Sequence, residues 1–582
     1  MNIIFSGFFH PLVGILSGFL LIIGSEYVGK FFLKKFIKTF FFLNLVTGII
    51  AISLIIYIFI ILGISKYTNL PVAYFLLSIG IYNLINFKYF NPYQKINFNI
   101  FYILFILLLL LILSVAPPTM ADALGYHLGV ANYINQAHSW PNPNMWLHAN
   151  ISGLGEVYNS LGLLLYSDVA GSLVQLVGLV SFLHYFSNII KNKERLVFFN
   201  LFILSSPVLV FLVSGAKFLL LPQLMTTLVL YFIISNKVIT ANLFYIIIFL
   251  LCGAVSFKLS FFYPSFVLGF FALSKTDNNL KLIYKSILIG TIFFLPKILF
   301  NISNLDQLSF PEILVTVPEE FAFSLKNFKE NYFVFPINLF LPESLGKIST
   351  ILGTNLFVFF LIKKLNRNNI QIFIIFLITS ILYYFFSLSI GRMYYEMILW
   401  LSLFIIFKAE FKVDLKIVNL YLFTSSILVV AMLLFALFNL TPGLFNNKLR
   451  DVVMQNNANE YKAIKWINKN IEKDKIIITD LRSISLLNAR AIPMDYLNYK
   501  IPSNKINGYI DFIRNSKIDY LILKNFSDKI FFMFDECNEI KRITSPKFTN
   551  ERRNPYNRKS KYFVTVLKFD NKNNMNCIKN IK

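Results

Sequence analysis

Between residues 117 and 168 the chain gathers side chains able to do chemistry that most of the sequence lacks. Three of the five histidines (His127, His138, His148), two of the four tryptophans (Trp140, Trp146) and the acids Asp122, Glu156 and Asp168 fall in this stretch. Asp122 and Tyr126 are four residues apart, so a short helix puts them on one face. A carboxylate there, under aromatic side chains and near apolar walls, could act as a general base or hold a divalent cation. Either role would activate an acceptor hydroxyl. The same position suits a helix cap, which stabilises by about 0.5–2 kcal/mol. His127, His138 and His148 are spaced by 11 and 10 residues, which matches no zinc-ligand pattern. His138 and His148 read as interfacial anchors, and no metal is assigned.

Two basic residues sit where a bilayer makes them expensive. Lys258 lies between Phe257 and Leu259, and Arg392 follows Ser389-Ile390-Gly391. A lipid phosphate is a natural partner, because Arg offers a bidentate fork and Lys a point charge. Snorkelling to the headgroups is the alternative. Lys217 and Lys297 are weaker candidates of the same kind.

Membrane spans must position these residues. Of 582 residues 57% are apolar, 17% aromatic and only 14% charged, a balance foreign to soluble globular chains. Apolar runs predict an all-α polytopic transmembrane bundle with about fourteen spans. They fall near 8–28, 39–64, 70–87, 98–116, 169–190, 196–214, 217–235, 241–257, 259–274, 286–300, 350–362, 370–388, 393–407 and 416–440. The net charge of +25 invites a nucleic-acid reading, yet Lys and Arg gather in alternate short loops, as the positive-inside rule requires. No nucleic-acid partner is expected. From Ile96 to Ile190 there is no Lys or Arg. The loop 117–168 is therefore expected outside, with both termini, in a multi-pass inner (plasma) membrane protein whose first span is a retained anchor.

After Leu440 the apolar runs shorten, which divides a transmembrane domain, 1–440, from an external domain, 441–582. A second external loop is expected at 301–349. The tail has helical spacing at 460–471 and 505–515 and strand patterns at 475–479, 519–523 and 562–569, a small C-terminal α/β soluble domain. Asp480 and Arg482, just past a strand end, read as a turn with a surface ion pair. The three cysteines have no metal spacing.

The pattern Asp122-x3-Tyr126-His127-x5-Tyr133, then Trp140-Pro141, Glu156-x-Tyr158 and Ser167-Asp168-x4-Leu-Val-Gln175 resembles the first external loop of GT-C membrane glycosyltransferases. It is most similar to the family 39-like and RgtA/B/C/D-like bacterial group. The resemblance covers roughly 60 residues well and the rest by architecture. It implies a GT-C-like fold and sugar transfer from a polyprenyl-phosphate donor to a glycan, lipid or protein acceptor at the external membrane face. By it Asp122 matches the catalytic loop acid. Glu156, Tyr126, His127 and Asp168 fall in the same loop pattern, as acceptor or cation contacts. Lys258 and Arg392 resemble later basic positions that meet the donor phosphate. The chain departs from better-known members in its extra spans ahead of this loop and in lacking an Asp-Glu pair at Asp122, so neither the substrate nor a metal is implied in detail. A divalent cation is the one cofactor the loop suggests.

A lipid-linked sugar flippase, polymerase or other transporter competes with this reading, and it would place charges near the midplane in symmetric halves. No internal symmetry is visible in the sequence. A structural assembly protein would leave the acid-bearing, lysine-free loop without a purpose.

Overall fold

The computed structural model describes residues 11–86, 98–143, 145–276, 279–304, 336–342, 345–386, 391–495, 507, 510–511, 515–516, 518–524, 540–550 and 560–569. Most of the second expected loop, 301–349, and most of the expected helix at 505–515 lie outside these residues.

The apolar runs form a polytopic helical bundle. Among the described residues seven helices are long and apolar enough to cross a membrane: Pro11–Leu33, Phe41–Ile61, Ser65–Ile85, Ala170–Ile189, Leu280–Asn304, Arg367–Phe385 and one beginning at Leu415. Four shorter apolar helices, Ile100–Ser114, Leu220–Ser235, Ala241–Phe257 and Leu259–Leu273, join them. The first two helices approach closely because they lack side chains at the crossing, and a Cβ on Gly48 would stand 1.8 Å from the Ser25 carbonyl oxygen. Buried Glu26 ties three helices together, accepting from Asn44 at 2.7 Å and from Asn83 at 2.9 Å.

Two expected spans take other forms. The run 196–214 is broken into Lys193–Leu204 and Val208–Val213 at Ser205-Ser206-Pro207, where Pro207 brings no N–H to the helix. The run 350–362 is no α-helix. It holds a 3₁₀ turn, Asn355–Leu361, followed by a strand residue pair with Glu410–Phe411. Seven residues at about 2 Å of rise each are too few to cross a bilayer as a regular span. Irregular backbone is tolerated there because the broken helix beside it supplies partners. Val208 N–H donates to the Ile351 carbonyl at 3.0 Å, Ser206 Oγ to Leu352 at 2.6 Å, and Asn355 Nδ2 to Phe202 at 2.9 Å.

The tail builds a five-stranded mixed sheet in the spatial order Arg490–Pro493, Ile476–Thr479, Tyr520–Lys524, Val564–Phe569, Ile540–Thr544. The first three strands are parallel and the last two pairings antiparallel. The helix Tyr461–Asn470 buries Ala463, Ile464 and Ile467, as their i, i+1, i+4 spacing requires. Asp480 accepts from the Lys524 backbone N–H at 2.9 Å, so it fastens two strand ends, and burial first, then Glu460, raises its carboxyl to about 7.

Candidate functional site

The chain leaves Ser114 through Pro117-Pro118 and makes one π-helical turn at Ala123–His127 before the helix Leu128–Ala137. Such turns are wider than an α-turn and often mark functional positions. Asp122 precedes the turn without capping it; its side chain makes no cap hydrogen bond. Its Oδ2 instead accepts from Lys217 Nζ at 2.6 Å, and Arg392 Nη1 stands 3.8 Å from the same oxygen. The Asp122 side chain is 45% exposed, whereas Lys217 is 4% and Arg392 27% exposed. An open carboxylate is thus held by two deeper cations.

Both cations lie against one ring. Lys217 Nζ is 4.2 Å and the Arg392 guanidinium carbon 5.7 Å from the centre of Phe211. Lys217 belongs to the segment between Val208–Val213 and Leu220–Ser235, whose backbone is fastened by buried Gln175. The Gln175 amide nitrogen donates to the carbonyls of Leu212, Gly215 and Lys217, and its oxygen accepts from the N–H groups of Leu219 and Leu220. Asn159 adds a bond to the Ala216 carbonyl at 2.9 Å. Gln223 donates to the Arg392 carbonyl at 2.7 Å and so fixes the start of the helix Gly391–Ile406.

Burial alone would raise the Asp122 carboxyl, but Lys217 and then Arg392 overcome it and hold it well below the usual carboxylate range. Lys258 follows Ala241–Phe257. No ion pair or hydrogen bond holds the Lys258 ammonium among the described residues.

Lys258 and Lys297 line one cleft with apolar walls that include Tyr57, Leu154, Val255, Phe293 and Phe294. Lys297 donates to the Asn150 carbonyl at 2.7 Å. The loop reaches this wall only because residue 153 is glycine. A Cβ there would stand 2.0 Å from the Ser256 carbonyl oxygen.

The remaining loop residues divide into supports and tethers. Glu156 is buried with both oxygens engaged, one accepting from the Gly153 N–H at 2.6 Å and the other meeting His127 Nδ1 at 2.5 Å. It therefore orients His127 and ties it to the start of the helix Leu154–Leu164. Burial lowers the His127 imidazole, opposed by Glu156. Asp168, expected beside the reacting groups, pairs with Arg450 and ties the loop to the helix Asn447–Asn457. His138 ends its helix in the left-handed region, φ 55°, where its carbonyl accepts from Ser65 Oγ at 2.6 Å. Tyr126 stacks on His148 with ring centres 5.1 Å apart.

His148 is more than an interfacial anchor, because its Nδ1 lies 2.6 Å from Asp495 in the C-terminal domain. Burial opposes protonation, but the bond to Asp495, its charge and that of Asp122 outweigh burial and the Arg482 charge, so the imidazole stays raised above its usual value. The contact is complete below the ordinary histidine value near 6.5 and is lost as pH rises through the higher folded value. Hydrogen-exchange protection factors at residues 484–486, which pack on the loop, taken relative to the intrinsic exchange rate at each pH, should therefore be higher at pH 5.5 than at pH 8.5, and Asp495→Asn should erase the difference. Equal protection factors at both pH values in the unaltered protein would remove His148 as a tether.

The structure thus defines a membrane helical bundle whose acid-bearing loop meets a cluster of buried cations beneath a small α/β domain. Residues 16–454 match the DUF1420 N-terminal domain and residues 455–582 the DUF1420 C-terminal domain, so the chain belongs to the DUF1420 family. No curated protein matches it. The family's division at 454/455 falls within the helix Asn447–Asn457, some residues after the change in composition at 440.

Proposed function

We propose that this protein is a glycosyltransferase of GT-C type, moving a sugar from a polyprenyl-phosphate donor to a hydroxyl of a glycan, lipid or protein. The observation that carries the reading is the convergence of Lys217 and Arg392 on the open carboxylate of Asp122. Asp122 takes the acceptor proton as the acceptor oxygen bonds to the sugar's anomeric carbon. The bond from that carbon to the donor phosphate breaks, and its electron pair leaves with the phosphate. Lys217, Arg392 and Lys258 stabilise the charge returned to that leaving group. Two cations at Asp122 also repel a divalent metal, and among the described residues no group of three His, Cys, Asp or Glu is placed to hold one. With the lysine-free loop outside, both termini lie outside and the transfer occurs at the external face. Inversion follows from the resemblance.

A flippase or other transporter is favoured by one observation, the carboxylates Glu26 and Glu396 buried within helices. Both are satisfied by neutral groups: Glu26 by Asn44 and Asn83, Glu396 by Thr226 and by Tyr383 at 2.7 Å. The cations meanwhile crowd one mouth, which suits chemistry there better than passage through the bundle. Donor titration tests the choice. Arg392→Ala or Lys258→Ala should weaken use of the donor by about 10–100-fold, the loss of one charge-assisted contact of roughly 1.5–3 kcal/mol. Unchanged kinetics in both variants would assign these residues to snorkelling and remove the donor-phosphate role.

A further inference from the structure

We propose that Lys217 and Arg392, which converge on Asp122 and on the Phe211 ring, form a binding site for a phosphate-monoester dianion, and that Asp122 occupies this site until the ligand displaces it. The idea deepens the donor reading above and rests on it for the identity of the ligand.

Charge is the first observation. Lys217 and Arg392 share one accessible carboxylate, since Glu156 is engaged by Gly153 and His127. Lys217 is nearly sealed from water, and a buried ammonium is costly without an anion. The empty protein supplies that anion from its own chain. The second observation is the asymmetry of the pair: Lys217 is fixed beneath Phe211, while Asp122 is 45% exposed and free to move outward. Third, the cations have unspent capacity. Arg392 Nε is buried with no hydrogen-bond partner, and its Nη1 stands at ion-pair rather than hydrogen-bond distance. A phosphate-monoester dianion offers three oxygens and up to two charges against the carboxylate's two oxygens and one charge, so it engages the donors of Lys217 and Arg392 that Asp122 leaves unfilled.

The exchange has a chemical consequence. While Lys217 holds Asp122, the carboxylate is a poor base. When a lipid phosphate takes Lys217 and Arg392, the carboxylate loses the partners that weaken it, and its basicity rises as the leaving group is bound. The donor phosphate is a diester with one charge and becomes the monoester dianion only as its bond to the sugar breaks, so base activation grows as the leaving group departs.

The test measures binding, not transfer. Full-length protein in phosphatidylcholine nanodiscs is titrated calorimetrically with geranylgeranyl phosphate and, separately, with inorganic phosphate. Removing the internal competitor should make Asp122→Asn bind geranylgeranyl phosphate about ten-fold more tightly, and Lys217→Met should bind it at least ten-fold more weakly. Asp122→Ala serves as the second variant should the amide disturb folding. The same tightening with inorganic phosphate means the headgroup alone is read; tightening with the lipid phosphate only means the chain is needed as well, and both support the site. Weaker or unchanged binding by the Asp122 variants overturns the proposal, since a carboxylate that bridges to phosphate through a cation would give that sign. Tight phosphate binding without any sugar transfer by the unaltered protein would leave this site standing and remove the glycosyltransferase reading; transfer without tightening would do the reverse.

Discussion

Asp122→Asn should fold, insert and bind lipid phosphate, yet lose roughly 10²–10⁴ in sugar-transfer turnover, the usual contribution of a positioned general base. Asparagine keeps the size and much of the hydrogen bonding of the carboxylate while removing its ability to take a proton. A capping role would predict a fully active variant, since Asn caps as well as Asp. The geometry opposes that role, for the Asp122 carboxylate makes no cap bond and lies on Lys217 at 2.6 Å. Folding should survive because the side chain is 45% exposed, and Lys217 keeps a hydrogen-bond acceptor in the amide oxygen. Transfer is measured in membranes holding equal amounts of each protein. Full activity in Asp122→Asn would end the catalytic assignment.

Lys217→Met should cost about 10–100-fold in transfer, the worth of one buried charge-assisted contact to the leaving phosphate. Methionine has nearly the length and flexibility of lysine, so the site beneath Phe211 stays filled. The freed Asp122 carboxylate is open to water and is not stranded. Thermal stability should therefore change little. Lys217→Arg should not restore activity, because the planar fork does not fit a buried point-charge position whose backbone is held by Gln175. Unaltered transfer in Lys217→Met would show that the phosphate is held elsewhere.

The helices were legible wherever an apolar run could be read without knowing its neighbours, as at Ala170–Ile189 and Leu415–Leu440. The run 350–362 has the same composition but folds as 3₁₀ turns, because polar groups on a distant broken helix satisfy its backbone. Asp122 stood out by its place in a lysine-free loop. Its main partner did not: Lys217 lies 95 residues further on, within apolar sequence, and ranked below Lys258 and Arg392 until the fold brought it to 2.6 Å. Glu156 misled for the matching reason, since spacing showed an acid in the right loop but not that Gly153 and His127 engage it. Gln175 appeared only as part of a pattern, although it fastens the whole segment that carries Lys217. In the tail, Ile476–Thr479 announced itself as a buried strand, whereas Arg490–Pro493 and Ile540–Thr544 did not, being short and carrying charge or proline.

The most direct measurement is sugar transfer by the purified full-length chain, reconstituted in nanodiscs with a radiolabelled polyprenyl-phosphate sugar and extracted cell-envelope acceptors. The label should move from the lipid-soluble donor into an acceptor fraction, with the lipid phosphate left behind and Asp122→Asn inactive in parallel. A donor that is bound and returned unchanged, or moved across the bilayer with its sugar still attached, would contradict the account.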